Sequence, residues 1–170
     1  GWTVDTAGWM GTSTTTQPKT ALEQYGLIYR LLVNEKIPVY WIIANGKAGQ
    51  VGSAPSLTNT TPDLTGVSVY SPYNTTSTTP TTKSYYSGPF VIPGGFLTDA
   101  KLTEILAQAT ALTGVRVDRA AAEFSAPVFD KITYWPKATL DDQNGDIAEG
   151  FYANAKIPES QYSYNWMAPS

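Results

Sequence analysis

The chain has 170 residues, 42% hydrophobic and 15% charged, with a net charge of −3, and it contains neither histidine nor cysteine. That length fits a single domain with room for a core, and the two absent residue types remove disulfides, thiol nucleophiles and imidazole acid–base or metal chemistry. The eleven Lys and Arg are scattered singly, which excludes a phosphate-binding groove and so a nucleic-acid partner, and no run approaches the ~18 apolar residues of a membrane span.

In chain order, residues 1–17 read as an irregular N-terminal arm carrying Trp2 and Trp9. A helix follows, with Leu22, Tyr25, Ile28, Tyr29 and Leu32 at helical spacing and Thr20 and Glu23 in a capping-box pattern. It stops near residues 34–36, because Pro38 cannot continue it. Residues 37–44 are a continuous apolar, β-branched and aromatic run, the pattern of a strand covered on both faces. Residues 45–84 are rich in Gly, Ser, Thr, Pro and Asn and read as a largely exposed, Thr-rich insertion with one short strand at 66–70. Gly46, Gly49 and Gly52 lack the spacing and the following helix of a phosphate loop. The sequons at Asn59 and Asn74 make these residues candidate glycosylation sites, with glycans as partners.

Residues 89–92 form a short strand, and Thr98 caps a second helix with the stripe Leu102, Ile105, Leu106, Ala109 and Leu112. Further strands are expected at 115–117 and 137–140, and a third helix at 146–156 with Asp146 as N-cap and Glu149 three residues into it. The tail from Tyr162 through Tyr164 to Trp166 alternates as a last strand with one aromatic face. The sequence Asn34-Glu-Lys-Ile-Pro38 returns as Asn154-Ala-Lys-Ile-Pro158, each time at a helix end. Alternating strands and helices predict an α/β domain with a mostly parallel sheet and helices on both faces, spanning residues 1–170.

Four islands carry a family resemblance: residues 25–43 (YGLIYRLLVNEKIPVYWII), 86–92 (YSGPFVI), 124–128 (FSAPV) and 140–145 (LDDQNG). They resemble the N-terminal region of large secreted or cell-surface microbial proteins, some labelled gliding-motility proteins. That region is similar to the flavodoxin-like, class I glutamine-amidotransferase-like fold. The resemblance implies a flavodoxin-like architecture and an extracellular or cell-surface setting. The Cys–His chemistry of such amidotransferases has no counterpart among these residues.

Three side-chain groups are candidate sites. Asp141, Asp142, Asn144 and Asp146 place oxygen donors between a strand and a helix, a calcium-type set although the EF-hand spacing is not met. The same carboxylates also suit a helix N-terminus, the preferred reading. Trp2, Trp9, Tyr162, Tyr164 and Trp166 form either packed aromatic faces or an assembly interface in which a terminal strand joins another copy. Glu123, flanked by alanines and Phe124, has the only sequence hint of a buried acid, but an acid pointing to solvent is the preferred reading.

These readings predict an extracellular, non-enzymatic structural protein: a glycosylated, self-assembling subunit of a surface layer, filament or matrix, present as a homo-oligomer or homopolymer, with no cofactor unless calcium. A carbohydrate- or calcium-dependent adhesion module is the alternative from the binding class. A hydrolase using paired carboxylates is the alternative from the enzyme class.

Overall fold

The computed structural model describes residues 2–6, 22–45, 47, 61–71, 78–86, 88–112, 115–141 and 145–165. Among the described residues, nine strands and three α-helices follow in the order β1 (Trp2–Thr6), α1 (Glu23–Val33), β2 (Val39–Ile42), β3 (Leu64–Tyr70), β4 (Thr81–Tyr85), β5 (Phe90–Ile92), α2 (Asp99–Thr110), β6 (Val115–Ala120), β7 (Val128–Ile132), β8 (Ala138–Asp141), α3 (Gly145–Asn154) and β9 (Tyr162–Asn165).

Seven strands form one sheet in the order β4-β3-β6-β1-β5-β2-β7, and every neighbouring pair in it is antiparallel. This corrects the expectation of a mostly parallel, flavodoxin-like sheet. The alternation of strands and helices is real, but each crossover skips a position. α1 carries the chain from β1 to β2 past β5, and α2 carries it from β5 to β6 past β1. The gap in each unit is filled by a strand running the other way, the split βαβ arrangement. Strand–helix alternation in a sequence is identical for the direct and split units, so periodicity could not separate them. Among the described residues the only parallel pair is β8–β9, a separate two-stranded sheet.

Side-chain alternation divides the large sheet into two faces. Val39, Phe90, Ile92 and Val117 face α1 and α2, where they pack with Leu27, Ile28, Leu31, Ile105, Leu106 and Leu112. Ile42 and Val91 face the opposite way, into a second cluster with Leu64, Val67, Val69 and Tyr85 of the β3–β4 hairpin. The continuous apolar run of β2 has its cause here: both faces are covered, although by helices on one side and a hairpin on the other. Burying each Leu or Ile of this core contributes about 2 kcal/mol.

The hairpin reaches its place through a bend. β3 joins β6 only at Val69 and Tyr70, and its register with β4 shifts between Leu64 and Val67, around Gly66 at φ 67°. A glycine in the left-handed region at such a shift is the signature of a β-bulge, which twists the strand. Residues 45–84 are therefore not simply an exposed insertion. Thr78 to Thr82 are exposed, but Leu64, Val67 and Val69 are core residues. Asn59 and Asn74 lie outside the described residues.

β1 is the second departure. Residues 2–6, expected within an irregular arm, form the middle strand of the sheet, paired along β6 from Trp2↔Arg119 to Thr6↔Val115 and along β5 from Trp2↔Ile92 to Val4↔Phe90.

Both helix ends of the sequence echo turn through a left-handed lysine. Lys36 (φ 57°) and Lys156 (φ 59°) are left-handed, and the next residue closes the turn, Ile37 N–H donating to the Leu31 carbonyl at 2.9 Å and Ile157 N–H to the Tyr152 carbonyl at 3.0 Å. Lysine occupies the position that glycine usually takes at such a helix end. Thr98 caps α2 as expected, its side chain accepting from Lys101 N–H. α1 starts after Leu22 without a side-chain cap, and Thr20 lies outside the described residues. Among the described residues no helix is long and apolar enough to cross a membrane.

Candidate functional site

The β8–α3–β9 unit stands apart from the large sheet and docks on α1. Tyr29 of α1 packs with Ala155 and Ile157, flanked by Leu22, Val33, Trp135 and Tyr152, and the Tyr29 and Trp135 rings meet edge to face at 5.6 Å. Gly26 makes the approach close: a Cβ there would lie 1.8 Å from the Ala155 carbonyl oxygen.

Within this unit one carboxylate gathers two phenols. Tyr162 donates to Glu149 Oε1 at 3.0 Å and Tyr164 donates to Oε2 at 2.7 Å. Tyr152 and Tyr164 both meet the Tyr162 ring edge to face, at 5.1 and 6.2 Å. Burial first, then the Glu149 carboxylate, pushes the Tyr162 phenol up to about 12. The hydrogen bond to Glu149 is the main cause for Tyr164, also pushed up to about 12. The two donated bonds, Tyr164's first, hold Glu149 below the usual carboxylate range. The aromatic face of β9 thus turns onto α3, with Tyr162 buried and Tyr164 37% exposed. Ser163 and Thr139, on the other face of the pair, are exposed.

The sequence placed Asp146 and Glu149 as a capping box. The helix begins one residue earlier, at Gly145, and Glu149 spends both oxygens on tyrosines. Gly145 is needed because a Cβ there would lie 2.5 Å from the Tyr164 ring. Of the calcium-type set, Asp141 and Asp146 are exposed, while Asp142 and Asn144 lie outside the described residues. Among the described residues no three acidic side chains converge on a metal-sized space. Trp9 and Trp166 also lie outside the described residues. Trp2 sits in β1, whose backbone is paired on both sides, by β5 and by β6.

Three buried carboxylates, Asp63, Glu35 and Asp118, are held by named donors. Asp63 accepts from Ala44 N–H and Gly88 N–H, each at 2.9 Å, and pairs with Lys47 Nζ at 2.8 Å. It ties the end of β2, the start of β3 and the entry to β5 in one clasp. Its burial opposes ionisation, but Lys47 and the two amides outweigh that and lower its pKa. Glu35 bridges α1 to α2, accepting from Lys101 and from Gln108 at 3.1 Å, and the Lys101 hydrogen bond is the largest cause of its lowered pKa.

Asp118, 1% exposed, accepts from Tyr85 at 2.9 Å and Lys83 at 3.2 Å. Lys83 also donates to Ser71, and Arg116 donates to the same hydroxyl at 3.3 Å. Ser71 thus serves as an acceptor for both Lys83 and Arg116. Glu123, whose apolar neighbours hinted at burial although the solvent-facing reading was preferred, is exposed; it follows β6 in an irregular stretch at the sheet's end.

Two further surface features went unread in the sequence. Tyr25, Phe90, Trp41 and Phe129 form a continuous aromatic row with centroid separations of 6.0, 6.1 and 5.3 Å. Both of its ends are open, Tyr25 being 41% and Phe129 52% exposed. Four strands, β4, β7, β8 and β9, have an edge with no strand beside it among the described residues. Comparisons of the chain with protein families, with curated proteins and with solved structures find no match.

Proposed function

We propose that this chain is an extracellular, non-enzymatic structural protein whose copies join through open strand edges, as a subunit of a surface layer, filament or matrix. The observation that carries the reading is the β8–β9 pair, a parallel two-stranded sheet set outside the main sheet with no strand beside either outer edge among the described residues. Parallel strands normally sit inside larger sheets, and an open edge is a template for a further strand. The engagement of Glu35, Asp63, Asp118 and Glu149 with their own partners supports a structural use of these acids. The sequons at Asn59 and Asn74 and the resemblance to secreted and cell-surface proteins support the compartment.

Light scattering across a concentration series, with electron microscopy of native material and intact mass, tests this reading. Concentration-dependent assembly of a glycan-bearing chain is expected. A glycan-free monomer at every concentration overturns it.

The aromatic row favours a second reading, a carbohydrate-binding adhesion module in which sugar rings stack on Tyr25 and Phe129. Calorimetry with oligosaccharides, and with Phe129→Ala as control, separates the two. Heat lost in the variant supports adhesion.

A further inference from the structure

We infer that the occupant of the open β9 edge is β9 of a second copy, the two strands running antiparallel about a two-fold axis to build one continuous sheet in the order β8-β9-β9-β8. This inference rests on the assembly reading and names its surface.

The four open edges differ in how they are defended. Natural edge strands avoid unwanted pairing by carrying charges or prolines. β4 carries Lys83. β7 carries Asp130 and Lys131, both exposed, and follows Pro127. β8 ends in the exposed Asp141 and follows Pro136. β9, reading Tyr-Ser-Tyr-Asn, has no charge, proline or glycine. It is the one undefended edge among the described strands.

Symmetry then selects the pairing. A two-fold axis perpendicular to a sheet keeps each side chain on its own face, so only residues of equal parity can stand opposite one another. For β7 the central registers place Asp130 against Asp130 or Lys131 against Lys131 of the second copy, and like charges directly opposite are destabilising. For β9 the register centred on Ser163 sets Ser163 against Ser163 of the second copy. Tyr162 then stands against Tyr164 of the second copy, an aromatic cross-strand pair on the face that α3 covers in both copies. No like charges meet, and the residue at the axis is small and exposed.

The absence of native thiols makes the test clean, because one introduced cysteine can bridge only to itself in another copy. Antiparallel strands hold facing Cα atoms ~4.5–5.5 Å apart, within the ~4.4–6.8 Å a disulfide spans. Ser163→Cys is therefore expected to give a disulfide-linked dimer on mild oxidation. Thr139→Cys, on the outer strand β8 and one strand removed from the joint, remains a monomer. Ser163→Lys, which sets two cations across the axis, shifts the unmodified chain to monomer in light scattering, with unfolding curves confirming that each variant is folded.

Crosslinking of Ser163→Cys no greater than that of Thr139→Cys, or a Ser163→Lys variant that associates like the parent, overturns the inference. If the parent still assembles in either case, another surface carries the assembly reading. A parent that is monomeric at every concentration overturns both.

Discussion

The α-carbon of Gly26 faces the main chain of Ala155 so closely that a methyl group would lie 1.8 Å from its carbonyl oxygen. This contact sets how the β8–α3–β9 unit sits on α1. In an exposed helix interior, Gly→Ala stabilises by about 1 kcal/mol. Here the sign reverses. Gly26→Ala forces α1 and residue 155 apart, and overpacking of this kind costs about 1–3 kcal/mol. Denaturant unfolding is expected to report lower stability, and tryptophan fluorescence is expected to change as Trp135 separates from Tyr29.

The Asp63 clasp predicts a graded pair of variants. Asp63→Ala removes the acceptor for Ala44 and Gly88 N–H and leaves Lys47 without its carboxylate, a loss of about 3 kcal/mol. Asp63→Asn keeps one acceptor oxygen and is expected to cost less. Chemical denaturation of both proteins checks the order.

The same clasp fixes an acid dependence. Asp63 and Glu35 have folded pKa values below the ordinary 3.8 and 4.5, so the unfolded chain binds protons first as pH falls. Their contribution is present in full above the ordinary values. It is lost as pH drops through the folded ones. Denaturation midpoints are expected to be flat from neutrality to about pH 5 and to fall below about pH 4, less steeply in Asp63→Asn.

Alkaline titration isolates the Glu149 cluster. Tyr162 and Tyr164, raised from 10.0 to about 12, stabilise the fold while protonated. That contribution is complete below pH 10 and is lost between about 10 and 12. Phenolate absorbance is expected to show late-titrating tyrosines, and Glu149→Gln is expected to move two of them, Tyr162 and Tyr164, earlier.

Lys36 and Lys156 predict a gain. Each holds a left-handed backbone that a side chain disfavours, and Lys→Gly at either position is expected to stabilise by about 0.5–1 kcal/mol. Thermal unfolding of the two single variants and the double variant checks the sign and the additivity.

Features fixed by neighbouring residues were legible in the sequence: α1, α2 with its Thr98 cap, the alternating tail that became β9, and the Asn-x-Lys-Ile-Pro ends. What failed depends on residues far apart. β1 carries an alternating Trp-Thr-Val-Asp-Thr pattern that would have marked a strand, but its polar flanks made it look irregular, and its partners are Ile92 and Arg119. Sheet direction failed because direct and split crossovers share one strand–helix rhythm. In the candidate site, the aromatic periodicity of Tyr162 and Tyr164 could be read. Their common partner Glu149 could not, because a carboxylate near a helix start has a simpler local use.

The central place of β1 has a consequence for the order in which the molecule can be made. A ribosome delivers residues 2–6 before their β6 partners, Val115–Ala120, which arrive on the order of ten seconds later at ordinary synthesis rates. Until then the middle of the sheet is missing one side, and β5 and β2 cannot be joined to β6, β3 and β4. Closure of the sheet is therefore governed by long-range pairing, which is slow. Until β6 emerges, the future centre of the sheet presents an open edge, the kind of template that invites wrong partners.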